Sequence, residues 1–146
     1  MQICSSICFF VYFVYFVVKS FLNIRIIMKI AFTTAGSDLN GEIDTRFGRA
    51  PKFLIFDTES RSFELIDNTQ NLNAPQGAGI QSAEAIVRSG AKAVVTGHCG
   101  PKAFRALSAA KVAIYNTEIK NIGAALKAVE NKELSPAGNA DVDGHW

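Results

Sequence analysis

The spacing of apolar residues along the chain changes twice and divides it into three parts. Residues 7–18 read ICFFVYFVYFVV, an unbroken apolar run. From Met28 onward, short apolar runs alternate with polar loops, which is typical of a folded domain built from several short elements. Residues 135–146 show no apolar period. The pattern predicts a hydrophobic leader over residues 1–27, one domain over residues 28–134 and a flexible tail over residues 135–146.

Five segments of the domain have the composition of β-strands. The first, KIAFTT, ends at a glycine turn, and the next two, FLIFD and SFELIDN, are joined as a hairpin. The last two are short and wholly apolar, as expected for parallel strands that are covered on both faces. The predicted strands are residues 29–34, 53–57, 62–68, 93–96 and 112–115.

Three further segments show a period of about 3.6 residues, which predicts amphipathic helices. The predicted inward-facing residues are Ile80, Ala83, Ile86 and Val87 in the first helix, Ala103, Phe104 and Leu107 in the second, and Ile119, Ile122, Leu126 and Val129 in the third. The resulting order is β-β-β-α-β-α-β-α. It predicts an α/β fold with a mixed five-stranded sheet flanked by helices, similar to the ribonuclease H-like architecture.

Charge is distributed as unevenly as hydrophobicity. All 13 acidic residues follow Met28, and only Lys19 and Arg25 of the 15 basic residues precede it. The chain from Met28 onward is therefore formally neutral, which argues against binding to the phosphate backbone of a nucleic acid. Only one of the three cysteines lies in the domain, which fits a reducing compartment. We expect a cytoplasmic protein.

The leader, residues 1–27, leaves two interpretations open. No basic residue precedes Lys19 and no small-residue cleavage site follows, so the segment lacks the pattern of a secretory signal. Counted from Ile3, its apolar stretch just reaches the length of a transmembrane helix, which would anchor the protein in a membrane. The interpretation that we favour is that translation starts at Met28, where a strand-like run begins, and that residues 1–27 are not made.

The turn Gly97–Lys102 carries the most reactive side chains of the domain. It joins a predicted parallel strand to a helix, and ligands of open α/β sheets bind at this edge, where free N–H groups favour anions. Cys99, next to His98 at the helix start, is expected to have a lowered thiol pKa and to be a candidate soft-metal ligand. Cys99 fits a small buried core residue equally well. Two side chains would also supply only part of the ligand set of a cluster.

Two arginines, Arg46 and Arg49, lie in the loop between the first two strands. Their guanidinium groups can present paired donors to one planar anion, or can pair with Asp44 or Glu42 on the surface. The glycine-containing loop Asn71–Gly79 precedes a helix but lacks the patterns of nucleotide-binding loops. It fits a tight turn at least as well as a ligand site.

The domain shows no recognisable set of catalytic residues. Its first predicted strand, Lys29–Thr34, contains no carboxylate, whereas an active ribonuclease H-like nuclease needs one there to hold its metal ions. The domain also lacks a CxxC motif, an HExxH motif and a Ser–His–Asp order. We therefore expect that the protein is not an enzyme.

Four segments, taken in order, resemble the dinitrogenase iron–molybdenum cofactor biosynthesis family: MKIAFTTAG, RFGRAPKFLIFD, NAPQGAGIQSAEAI and VVTGHCGPKAFRAL. The resemblance covers residues 28–134. It implies a ribonuclease H-like fold without nuclease activity and a role connected with nitrogen fixation. It also implies binding of an iron–sulfur or iron–molybdenum type cluster, or its precursor, which is carried between the donor and acceptor proteins of cofactor assembly.

We therefore predict a cofactor carrier that holds an anionic cluster, with Cys99 and His98 as metal ligands. The predicted cofactor-binding residues are Gly97, His98, Cys99, Gly100, Lys102, Arg46 and Arg49. The alternative is a non-catalytic interaction or regulatory module that binds a small organic anion or an acidic segment of a partner. No nucleic-acid partner is expected, and a membrane only if residues 1–27 are translated.

Overall fold

The computed structural model describes residues 10–15 and 27–141. Residues 10–15 are helical, and the rest of the predicted leader lies outside the described residues. Within the described ranges, no helix is long and apolar enough to cross a membrane.

The domain contains five strands, three α-helices and two 3-10 turns. The strands are β1 (Lys29–Thr34), β2 (Lys52–Asp57), β3 (Phe63–Asp67), β4 (Ala93–Thr96) and β5 (Ala113–Asn116). The helices are α1 (Ala78–Arg88), α2 (Pro101–Ala109) and α3 (Ile122–Glu130), and the 3-10 turns are Phe47–Arg49 and Thr69–Asn71.

All five strands form one sheet in the order β3-β2-β1-β4-β5. The first three strands pair antiparallel, with Lys29 opposite Asp57 where β1 meets β2. The other two pairs, β1–β4 and β4–β5, are parallel, with Ile30 opposite Ala93. The predicted mixed five-stranded sheet is confirmed.

The sheet is covered on both faces, and alternate residues of β1 show the division. Ala31 belongs to a buried cluster shared with α1 and α2, whereas Ile30 and Phe32 belong to a second cluster shared with α3. This alternation follows from the two-residue period of a strand. Helices α1 and α2 therefore lie on one face of the sheet and α3 on the other.

Two details of the predicted helices are wrong. Ile80 and Val87 were expected to face inward, but they are 40% and 42% exposed, and α1 instead buries small residues together with Ile86. Ile119 was expected on the apolar stripe of α3, yet it precedes the helix. The reason is that Asn121 is the N-cap. Its side chain accepts a hydrogen bond from the Ala124 N–H, so the helix starts at Ile122.

The chain after α3 returns along the domain. The Ala137 N–H donates to the Ile114 carbonyl at 2.7 Å, and the Ala137 side chain packs against the cluster shared with α1 and α2. The flexibility of the tail stays a prediction, and residues 142–146 lie outside the described residues.

The loop after β4 is hydrogen-bonded to the loop before β2. The His98 N–H donates to the Thr45 carbonyl at 2.7 Å, and the Phe47 N–H donates to the His98 carbonyl at 3.2 Å. A Cβ atom at Gly97 would lie 2.7 Å from the Thr45 Cα. The crossing of the two loops thus requires a residue without a side chain at position 97.

We expect Gly97→Ala to destabilise the domain by about 1–3 kcal/mol, because the added methyl group meets backbone that cannot move without breaking these hydrogen bonds. Gly138→Ala is the matched control, since a Cβ there meets nothing within 4 Å. Urea unfolding monitored by circular dichroism gives both values. Equal stability of the two variants would contradict the tight crossing.

Candidate functional site

A cleft of about 620 Å³ opens at the edge of the sheet where β1 and β4 end. Three chain segments line it: residues 45–49, residues 75–80, and the start of α2 with His98. In sequence these segments are separated by tens of residues. Each precedes or begins a regular element, so the sheet and helices hold the three segments in place.

Small residues let the three segments approach one another. A Cβ atom at Gly48 would lie 2.9 Å from the Gly79 nitrogen, so the 3-10 turn lies directly on the first turn of α1. A Cβ at Gly79 would lie 3.2 Å from the Ala103 Cβ, so α1 and α2 also meet closely at their N-terminal ends. The cleft therefore lies where two helix N-termini converge.

Buried polar groups hold residues 68–74, which lead into the cleft segment 75–80. Asn68 donates from its side chain to the Ala50 carbonyl at 2.8 Å and accepts from the Asn71 and Ser82 side chains at 2.7 and 3.2 Å. Arg49 donates to the Leu72 carbonyl at 2.8 Å, and its second terminal nitrogen donates to the Ala74 carbonyl at 3.1 Å. Arg49 thus has a structural role in this loop, and its role as a charge partner stays a prediction.

The charges that line the cleft have one sign. Arg46, Arg49 and Lys102 lie in its wall together with His98, and no Asp or Glu is among its lining residues in the described chain. The Arg46 side chain is 59% exposed, and its Nε forms a long ion pair of 3.8 Å with an Asp44 carboxylate oxygen. A chain that is formally neutral from Met28 onward therefore has a locally cationic cleft.

Backbone N–H groups add to this positive potential. The N-terminal residues of α1 and α2 are preceded by Gly77 and Gly100, neither of which can cap a helix with a side chain. Neither helix has an acidic residue in its first turn. By contrast, α3 on the opposite face is capped by Asn121. Uncapped N–H groups and the helix dipole both favour an anion in the cleft.

Two of the predicted site residues lie outside the cleft wall. Gly97 is buried against Thr45, and Cys99 is fully buried in the cluster shared with α1 and α2. The expectation of a lowered Cys99 pKa is wrong. Burial first, and the nearby Asp141 carboxylate second, raise the pKa of the Cys99 thiol to about 12. The predicted role of Cys99 as a metal ligand stays a prediction.

The other five predicted residues are brought together. Arg46, Arg49, His98, Gly100 and Lys102 all line the cleft. The described residues contain no group of three or more His, Cys, Asp or Glu side chains that could hold a metal ion. The cleft therefore offers cations, N–H donors and one imidazole, but no complete ligand set.

Asp141 is a residue near the site that the sequence did not indicate. Its carboxylate lies 2.8 Å from His98 Nδ1 and accepts from the Cys99 N–H at 2.9 Å. It belongs to the predicted tail, which has no apolar period, and its partners lie about forty residues earlier in the chain. No local pattern in the sequence signals a contact of this kind.

A known protein family matches the part of the chain that forms the sheet, the helices and the cleft. Residues 28–132 match the family model described as dinitrogenase iron–molybdenum cofactor. No curated protein matches the sequence.

Several solved structures are similar to this one. The apo form of the orange protein from Desulfovibrio gigas has 33% sequence identity and a TM-score of 0.77, and the match covers 80% of this chain and 98% of that protein. A Thermotoga protein provisionally assigned as NifB has 31% identity and a TM-score of 0.66 over 75% of this chain and 92% of that one.

A provisionally assigned dinitrogenase from Methanocaldococcus jannaschii shares the fold at 21% identity, with a TM-score of 0.59 over 78% of this chain and 98% of that one. The family match spans nearly all of the domain, and the two more similar structures extend over most of it. The chain therefore belongs to the dinitrogenase iron–molybdenum cofactor family.

Proposed function

We propose that the protein binds a negatively charged metal–sulfur cofactor, of iron–sulfur or iron–molybdenum type, or its precursor, in the cleft between α1 and α2. The proposal rests on the sign of the charged residues that line the cleft, which are all cationic in the described chain. Three cationic residues and the first residues of two uncapped helices line it, and no Asp or Glu is among its lining residues in the described chain. Family membership supports this class of cargo.

The donor set of the cleft fits a cargo that brings its own sulfide ligands. Such a cluster is anionic and needs charge neutralisation and hydrogen-bond donors, which Arg46, Lys102 and the first turn of α2 supply. A bare metal ion fits poorly, because the described residues offer no group of three ligating side chains. When bound, the cluster supplies the iron–sulfur chemistry, and the protein supplies a site for it.

His98 is the side chain of the cleft that can contact a metal directly. Its ring is 56% exposed and lies in the wall between Arg46 and the start of α2. An imidazole nitrogen is a good ligand for iron, and one such ligand leaves the rest of the cluster free. Cys99 could join His98 only if the turn opened, since its thiol is buried and protonated.

This arrangement suits a carrier better than an enzyme. A cluster held by four protein thiolates stays bound to its protein, whereas a cluster held by charges and a single imidazole can be released to an acceptor protein. The first strand contains no acidic residue with which a nuclease could hold metal. We therefore infer that the protein takes its cargo from one assembly protein and delivers it to another.

A second candidate has support from the same geometry. The described residues contain no group of three metal-ligating side chains. A site for a small organic anion, or for an acidic segment of a partner, would show the same feature. The two functions differ in a simple observable. Only the carrier acquires iron and visible charge-transfer absorbance after anaerobic reconstitution with iron and sulfide.

We expect Arg46→Gln and Lys102→Gln each to weaken binding of the reconstituted cluster by about two- to fivefold, the scale of a partly exposed ion pair. Added salt should weaken the wild type more than either variant, because salt screens the lost charge contact. Bound iron per chain and titrations at low and high salt measure both effects.

Arg88→Gln is the matched control for these variants, since Arg88 is exposed in the last turn of α1, at the end of the helix away from the cleft. It removes the same charge and should leave the affinity unchanged. If Arg88→Gln weakened binding as much as Arg46→Gln, net charge and not the cleft would account for the effect.

We also expect Cys99 to resist alkylation by iodoacetamide at mildly alkaline pH in the folded protein and to react fully in urea. The raised pKa of about 12 keeps the thiol protonated, and the thiolate is the reactive form. Peptide mass mapping distinguishes Cys99 from Cys4 and Cys8. Rapid modification of Cys99 in the native state would instead show an accessible thiolate and favour its predicted role as a ligand.

A further inference from the structure

The Asp141 carboxylate holds the His98 ring through Nδ1. One of its oxygens lies 2.8 Å from His98 Nδ1, and the other accepts the Cys99 N–H at 2.9 Å. His98 lines the cleft, whereas Asp141 is not among the lining residues. The carboxylate therefore engages Nδ1 of a ring that belongs to the cleft wall, and Nε2 is the ring nitrogen that it leaves unused.

The position of Asp141 is itself supported by the return of the chain along the domain. Four residues earlier, the Ala137 N–H donates to the Ile114 carbonyl at 2.7 Å at the edge strand of the sheet. The Ala137 side chain packs against the buried cluster that contains Cys99. These two contacts of Ala137 hold the segment that brings the carboxylate to the turn.

This geometry sets which nitrogen of the ring carries the proton. The carboxylate can only accept, so in the neutral ring Nδ1 is the donor and Nε2 keeps its lone pair. Its second oxygen is occupied by the Cys99 N–H, which fixes the carboxylate in this orientation. Metal-ligating histidines are commonly oriented by a carboxylate in this way.

We propose that Asp141 is a positioning residue that keeps His98 in the tautomer with an unprotonated Nε2, ready to ligate a metal of the cargo in the cleft. This inference rests on the proposed function. It assigns to the segment after α3 a part in a site that lies at the start of α2. The competing possibility is that the Asp141 charge opposes an anionic cargo, in which case its removal would tighten binding.

Asp141→Asn is the most informative variant, because it keeps the shape of the side chain. If its amide oxygen keeps the Cys99 N–H, its NH₂ group faces His98 Nδ1, which must then accept, and the proton moves to Nε2. We expect the ring of His98 to change from the Nδ1–H to the Nε2–H tautomer. Long-range ¹H–¹⁵N correlation spectra of the full chain, with His98→Ala to assign the ring signals, show the tautomer directly.

The second readout is binding of the cluster formed from iron and sulfide under anaerobic conditions. We expect Asp141→Asn to weaken it about tenfold, the lower end of the effect of such orienting groups on metal affinity. In a His98→Ala background the same substitution should have no further effect, since Asp141 acts through His98. Glu118→Gln, which removes an equal charge from an exposed residue, should bind as the wild type does.

Four outcomes would overturn the inference. An unchanged His98 tautomer in Asp141→Asn would show that Asp141 does not set the tautomer. Equal cluster binding by wild type and variant would show that the tautomer does not affect binding. Tighter binding by Asp141→Asn would show that the carboxylate opposes the cargo. Iron-free wild-type protein, with the tautomer changing as expected, would overturn the proposed function and with it the use of Nε2 as a ligand.

Discussion

Close backbone contact between three separate segments is the constraint on which the site depends. Gly97 lies against Thr45, Gly48 against Gly79, and Gly79 against Ala103. A Cβ at Gly97 or Gly48 would meet backbone at 2.7 or 2.9 Å, and one at Gly79 would lie 3.2 Å from the Ala103 Cβ, which would have to shift slightly. Together these contacts bring the N-terminal ends of α1 and α2 to the edge of the sheet where β1 and β4 end.

The chemistry of the cleft follows from this convergence. Helices α1 and α2 begin after Gly77 and Gly100, which have no side chain to cap them, so their first N–H groups remain for a ligand. Arg46 and Lys102 then add full positive charges to the partial positive charges of the two helix N-termini. A chain with no net charge from Met28 onward thus concentrates positive potential in one place, which favours a compact anion over an extended polyanion such as a nucleic acid.

Much of the fold could be predicted from local pattern. The five strands and their mixed pairing follow from short apolar runs, a hairpin and two strand–helix–strand units. The exposed faces of Ile80 and Val87 could not be predicted, because tight contacts with Gly48 and Ala103, and not hydrophobicity, decide which face of α1 is buried. Periodicity alone does not contain that information.

The site was predictable only in part, for the same reason. Its cations and its helix-start turn are local features, and five of the seven predicted residues do line the cleft. The burial of Cys99 and the contact of Asp141 with His98 depend on how distant segments pack. A cysteine at a helix start has a lowered pKa only where water or a cation reaches it, and here burial outweighs the helix dipole.

The central claim is that the metal–sulfur cargo binds in the cleft between α1 and α2, and amide NMR spectra of the reconstituted protein test it most directly. We expect a bound cluster to shift or broaden the signals of Gly77, Gly79, Gly100, Lys102 and Ala103, and to leave those of Gly123 and Ala125 in α3, on the opposite face of the sheet, unchanged. Changes confined to α3 or to the edge strand β3, with the cleft signals unaffected, would contradict the account.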